Sequence, residues 1–191
     1  MRSAPSGPRR VTSAAGARAY AGGVRLVKAA FGSAVFLVVA PGVVAGLVPW
    51  LLTGWRMSDP PALFVVLGGV LIAVGTGVLL YSFVRFVVEG RGTPAPIAAT
   101  RRLVVGGVYR HVRNPMYLAV GATIVGQALV LGRPVLLAYA AVFGAVVATF
   151  VYGYEEPTLS ARYGEDYDDY RRAVPAWWPR LRARSRQPPR R

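Results

Sequence analysis

The sequence predicts an all-α fold, a polytopic membrane helix bundle with four transmembrane helices and a C-terminal amphipathic helix. Three observations lead there. Hydrophobic residues make up 54% of the 191-residue chain and charged residues only 16%, gathered into apolar runs that a soluble domain of this size cannot bury. Of 23 Lys and Arg, 21 fall before residue 29, between 85 and 114, or after 154; only Arg56 and Arg133 lie in the two remaining loops. That bias sets both termini on the cytoplasmic side, so the net charge of +15 reads as topology and no nucleic-acid partner is expected. Third, the apolar stretch from Pro115 to Phe150 is broken only by Leu131-Gly132-Arg133-Pro134. An arginine at mid-bilayer costs about 2.5–3.5 kcal/mol, so a tight hairpin turn outside the lipid is expected there.

Residues 1–28 are Pro, Gly, Ser, Ala and Arg without apolar periodicity and read as a disordered basic arm touching anionic lipid. A membrane domain follows over 29–180, and 181–191 form a basic tail. The first span is expected at 31–53; it is too long for a signal-peptide core, and Pro41-Gly42 should kink it. Trp50 and Trp55 suit headgroup depth, and Asp59 with Pro60 should cap the second span, 62–84. In that span Gly69, Ala73 and Gly77 recur every four residues, a spacing that lets a second helix approach closely. The third span is expected at 115–131 and the fourth at 135–154, where Ala140, Gly144 and Ala148 repeat the small-residue spacing. After Pro157, Leu159, Tyr163, Tyr167 and Tyr170 recur at helical spacing and predict one amphipathic helix resting on the bundle or the membrane surface.

Chemistry is narrowed by absences. There is no cysteine and one histidine, His111, which removes thiolate and His-cluster metal sites and cysteine nucleophiles. No Gly-rich strand–helix turn is present, and a Ser-His-Asp set has no suitable histidine. Two polar clusters remain, Tyr109–Tyr117 at the start of the third span and Glu155-Glu156 at the end of the fourth. The hairpin makes these ends neighbours. Paired carboxylates at a helix C-terminus repel each other and face the negative end of the dipole, so Arg110 or Arg113 should compensate them. From the residues alone, a polar site facing the cytoplasm and the lipid stands beside a plainer reading, a basic flank with glutamates marking the membrane boundary.

Gly107-Val108-Tyr109, Arg113-Asn114-Pro115-Met116-Tyr117, Glu155-Glu156, Tyr163-Gly164-Glu165-Asp166-Tyr167 and Val174-Pro175 together resemble the isoprenylcysteine carboxyl methyltransferase and phospholipid methyltransferase superfamily. The resemblance covers about residues 60–180. It implies an integral membrane enzyme that transfers a methyl group from S-adenosylmethionine to a lipid or lipophilic small molecule. By the same resemblance, Arg102, Leu103 and Val104 approach the cofactor, while Tyr109, Arg113, Asn114, Pro115, Met116 and Tyr117 line it. Glu155 holds its polar end, with Glu156 beside it. No dedicated nucleophilic residue is implied, because methyl transfer depends mainly on alignment. Asn114 stands where the prenylcysteine enzymes have histidine, and Val151 where they have an arginine that contacts the substrate. Two other readings stay open: an NADPH-dependent membrane reductase related to sterol reductases, whose C-terminal half is similar, and a non-catalytic scaffold of the same fold.

Overall fold

The computed structural model describes residues 39–85 and 103–180, and these are helical with no strand among them. The basic arm, the start of the first span, Arg102 and the tail lie outside the described residues. In chain order the helices are α1 (Val39–Thr53), α2 (Ala62–Arg85), α3 (Pro115–Leu131), α4 (Val135–Phe150), α5 (Glu156–Tyr163) and α6 (Glu165–Ala173). A π turn, Val151–Glu155, joins α4 to α5 without a break, giving one 29-residue helix, Val135–Tyr163. That helix and the 24-residue α2 are long and apolar enough to cross a bilayer, while α1 and α3 are apolar but shorter.

The irregularity expected of Pro41-Gly42 takes the form of a second π turn, Val43–Leu47, directly after them. Wider i→i+5 bonding misaligns the carbonyls of such a turn with their helical donors. Here two of them are met from neighbouring helices. Tyr139 of α4 donates to the Val44 carbonyl at 2.9 Å, and Gln127 of α3 donates to that of Ala45 at 2.6 Å. In an apolar bundle these bonds satisfy backbone groups that lipid would leave bare.

The largest helix contact is α2 on α3, and it does not use the expected stripe. Gly69 and Gly77 have open space where a Cβ would be, and Ala73 is exposed. Gly68 and Gly75 make the approach instead: a Cβ at Gly68 would stand 2.5 Å from the Gly126 carbonyl oxygen, and one at Gly126 would stand 2.7 Å from that of Gly68. The second helix carries two overlapping small-residue stripes about 100° apart, and spacing alone does not choose between them. Leu79, Phe83, Val120, Ile124 and Leu136 continue the buried core from this crossing.

The α3–α4 hairpin falls where the sequence places it. Gly132 ends α3 in the left-handed conformation, φ 63°, and the Arg133 amide returns to the Ala128 carbonyl, which closes the helix end. The loop after α1 lies against this turn: the Ser58 amide donates to Leu131 O at 3.0 Å and Arg133 Nε to Arg56 O at 3.0 Å. Asp59 does not cap α2 as expected. It is left-handed, φ 49°, and the helix starts after both prolines, with the Pro61 carbonyl accepting from the Phe64 and Val65 amides.

Two expectations fail beyond α4. Glu155 and Glu156 are not at a helix C-terminus, since helix runs on to Tyr163, so the dipole argument does not apply to them. The single helix expected after Pro157 is two, broken at Gly164, φ 55°. Tyr167, Tyr170 and Val174 form a small second core against Leu103, Leu159 and Tyr163, at the end of the bundle opposite the two short loops.

Candidate functional site

Tyr109 lies in a short 3-10 turn, Gly107–Arg110, that brings the chain back to the bundle before α3. Burial pushes its phenol well above the usual tyrosine range, so it stays a neutral hydroxyl, facing Ser82 of α2. Pro115 opens α3, where its missing N–H costs nothing, and so fixes Asn114 at the helix mouth. Met116 and Tyr117 follow in the first turn.

The two glutamates divide the cations and hydroxyls between them. Glu156 is buried and doubly held, by Arg113 Nη1 at 2.7 Å and Arg171 Nε at 3.3 Å. Arg113 also donates to the Tyr167 hydroxyl at 3.3 Å. Of the two arginines proposed to compensate the pair, Arg113 does so; Arg171 of α6 takes the place expected of Arg110. Glu155 has no ion pair among the described residues, and its Oε2 accepts from the Tyr117 hydroxyl at 3.0 Å. Glu156 is neutralised by its two arginines, and Glu155 is left facing the site with a hydroxyl for a partner.

Two cavities share one wall. The larger, about 160 Å³, is bounded by Tyr109, Arg113, Asn114, Pro115, Met116, Tyr117 and Glu155, with Pro41, Val44, Leu79 and Phe83 supplying an apolar side. The smaller, about 50 Å³, lies across Tyr109, Arg113, Asn114 and Glu155, and Leu103, Val104, Val151 and Glu156 complete it. Two groups in that wall have a donor left to give: Arg113 Nε and Asn114 Nδ2 have no hydrogen-bond partner among the described residues, and Asn114 is 8% exposed. A buried amide donor without an acceptor is costly, about 1–3 kcal/mol, and such a group calls for an explanation.

All the sequence-derived site residues within the described chain therefore come together: Leu103 and Val104 at the small cavity, Tyr109 and Arg113–Tyr117 at the large one, Glu155 at both and Glu156 beneath. Arg102 lies outside the described residues. His111 stays out of both cavities; its Nδ1 lies 2.6 Å from the Arg180 carbonyl oxygen.

What sequence reasoning missed is the support behind the motif. The Arg113 amide donates to Pro175 O at 2.9 Å, the Asn114 amide to Ala176 O at 3.3 Å, and the Arg180 amide to His111 O at 3.0 Å. The segment after α6 thus clamps the motif along its backbone. Tyr170 donates to the Tyr109 carbonyl at 2.7 Å, and burial raises the Tyr170 and Tyr167 phenols, keeping both protonated. The tyrosine spacing over 163–170 was the available signal, but it fits an interfacial stripe as well as a site wall.

Comparison with curated proteins and with solved structures returned no match. Against family models, residues 63–166 match phospholipid methyltransferase, a span that holds Leu103–Tyr117 and Glu155-Glu156 and covers more than half of the chain. The chain belongs to the phospholipid methyltransferase family of membrane methyltransferases.

Proposed function

We propose that this protein is an integral membrane methyltransferase that uses S-adenosylmethionine and acts on a lipid or lipophilic small molecule drawn from the bilayer. The single observation that carries the reading is the shared wall, where among the described residues Glu155 lacks an ion pair and Asn114 Nδ2 lacks an acceptor, between tyrosines. The donor set fits the cofactor chemically. A carboxylate and the faces of Tyr109 and Tyr117 suit a cation, and the spare amide N–H suits an anionic or carbonyl oxygen. When bound, the cofactor supplies a methyl group on a positively charged sulfur. Glu155 offsets that charge, Tyr117 fixes Glu155 through its hydroxyl, and the 175–180 clamp holds Asn114 in place. Catalysis then consists of alignment in that pocket.

The same reading takes α1 to α4 as four spans with both termini cytoplasmic, supported by the distribution of Lys and Arg and by the two arginine-poor loops packing together at one end. A prenylcysteine carboxylate fits less well as acceptor, because Val151, buried in the small cavity, carries no charge where one would be needed.

Titrating the purified protein with S-adenosylmethionine tests the proposal. Saturable binding that weakens in Glu155→Gln and Tyr117→Phe is expected. Absence of binding, or binding of NADPH in its place, rejects it.

A further inference from the structure

Among the described residues no helix packs on Gly144 of α4. A Cβ added at Gly144 meets nothing within 4 Å, and one at Gly121 of α3 meets only Phe143 at 3.9 Å. What they hollow out is a groove of about 420 Å³ between α3 and α4, within the usual range for a ligand site of about 300–1,000 Å³. Its walls are hydrocarbon along most of their length, from Val125 and Ala140 through Gly121 and Gly144.

Polarity enters at one end. There Tyr117 and Trp177 line the groove, Trp177 Nε1 donates to the Tyr152 hydroxyl at 2.8 Å, and the two rings stand edge to face. Tyr117 and Phe143 also line the 160 Å³ cavity, so this end adjoins the cavity where the Tyr117 hydroxyl meets Glu155. An apolar channel with amphipathic rings at one mouth is complementary to an amphiphile with one tail.

From Tyr117 to Val125 the wall rises about 12 Å, and polar groups line it only at the Tyr117–Trp177 end. A hydrocarbon chain laid along it keeps its tail on apolar walls and its head at that end. We infer that the α3–α4 groove seats a single hydrocarbon chain of the methyl acceptor, its reactive head at the Tyr117–Trp177 end beside Glu155. The role of the head rests on the proposed function; the seat for the chain does not.

The experiment uses the full chain in phosphatidylcholine nanodiscs and straight-chain hexadecanol carrying a mid-chain diazirine as the probe. Photolabelled residues are mapped by mass spectrometry. Labels should concentrate on the facing walls of α3 and α4, and Gly144→Leu or Ala122→Leu should each cut them about tenfold. Val146→Phe, on an exposed part of the same helix, should leave them unchanged. Two groove variants guard against one failing to fold, and S-adenosylmethionine binding is followed in each. Labelling spread evenly over the exposed faces of α2 and α4, insensitivity to both groove variants, or a dimer in light scattering that Gly144→Leu dissociates would each overturn the inference. Groove-specific labelling in a protein that fails to bind S-adenosylmethionine supports the seat and rejects the methyltransferase reading instead.

Discussion

The π turn Val43–Leu47 in α1 and the π turn Val151–Glu155 after α4 are each five residues long and each sits in an otherwise apolar helix. Around the first, polar side chains come from outside to satisfy the backbone: Tyr139 and Gln127 reach the carbonyls of Val44 and Ala45. Around the second, the turn delivers polar side chains of its own chain. Adjacent residues of an α-helix diverge by about 100°, and the wider π turn brings its neighbours closer in direction. Glu155 and Glu156 both reach the same end of α3, where Tyr117 and Arg113 receive them. The same irregularity therefore serves as a stitch in one place and as a site in the other, and the placement of unsatisfied groups distinguishes them. At the second turn, among the described residues, one carboxylate is left without an ion pair, beside an amide without an acceptor.

The comparison breaks most readily at Glu156, whose side chain is 5% exposed against 10% for Arg113. Glu156→Gln leaves a buried guanidinium without its counter-charge, and loss of one partner of such a pair costs about 3–5 kcal/mol. Thermal unfolding in detergent should show the largest fall of any variant described below. The double variant Glu156→Leu with Arg113→Leu should recover much of that stability, because two apolar side chains leave no charge to solvate. If Glu156→Gln is as stable as the parent, the pair is not what holds α5 and α6 to the motif.

Glu155→Gln should separate function from stability. Its carboxylate has no buried cation to strand, so unfolding should move by less than about 1 kcal/mol. Affinity for S-adenosylmethionine should fall about 10- to 100-fold, the loss of one charge-assisted contact of about 1.5–3 kcal/mol. Equilibrium dialysis reads the second quantity and a thermal melt the first. A variant that unfolds early yet binds normally would place Glu155 with Glu156, as structure.

How much of this was legible in the sequence follows from what each signal encodes. The α3–α4 hairpin was readable to the residue, since Arg133 between Gly132 and Pro134 leaves the bilayer no cheaper arrangement. The meeting of Tyr109–Tyr117 with Glu155-Glu156 followed from that hairpin by geometry. The face of α2 did not, because Gly68 and Gly69 lie on different sides of one helix and composition is the same on both. The capping of Asp59 failed because Pro60 and Pro61 both precede the first turn. Neither π turn was visible as such; Pro41 announced an irregularity, but nothing local marks Val151–Glu155. The clamp over 175–180 is made by backbone amides and carbonyls, which every residue possesses, so side-chain patterns could not reveal it.

At the first π turn the expected effects are smaller and confined to stability. Gln127→Leu removes the donor to the Ala45 carbonyl inside the bundle, and polar contacts between membrane helices are worth about 0.6 kcal/mol on average and about 1.7 at most. A loss toward the upper figure is expected, because the bond is short and the carbonyl has no helical donor to return to. S-adenosylmethionine affinity should stay within about twofold. A larger change in affinity would mean that the two turns are coupled through α3, and the division between stitch and site would have to be redrawn.

Tyr139→Phe should give the smallest effect and the sharpest one for the comparison. Only the hydroxyl that reaches Val44 O is deleted; the ring, packed against the main core, remains. The expected loss is near the average of about 0.6 kcal/mol. Combined with Gln127→Leu, the two losses should exceed their sum, because neighbouring carbonyls of one turn are then bare together and share what relief the backbone can find. If instead the double variant is no worse than Gln127→Leu alone, the Val44 carbonyl has gone back to the Val48 amide, its ordinary α-helical donor; the Ala45 carbonyl has none, because residue 49 is proline. Isotope-edited infrared spectra of the Val43 and Val44 carbonyls distinguish the two outcomes, because the Val48 amide donates to Val43 O in the π turn and passes to Val44 O if the turn relaxes.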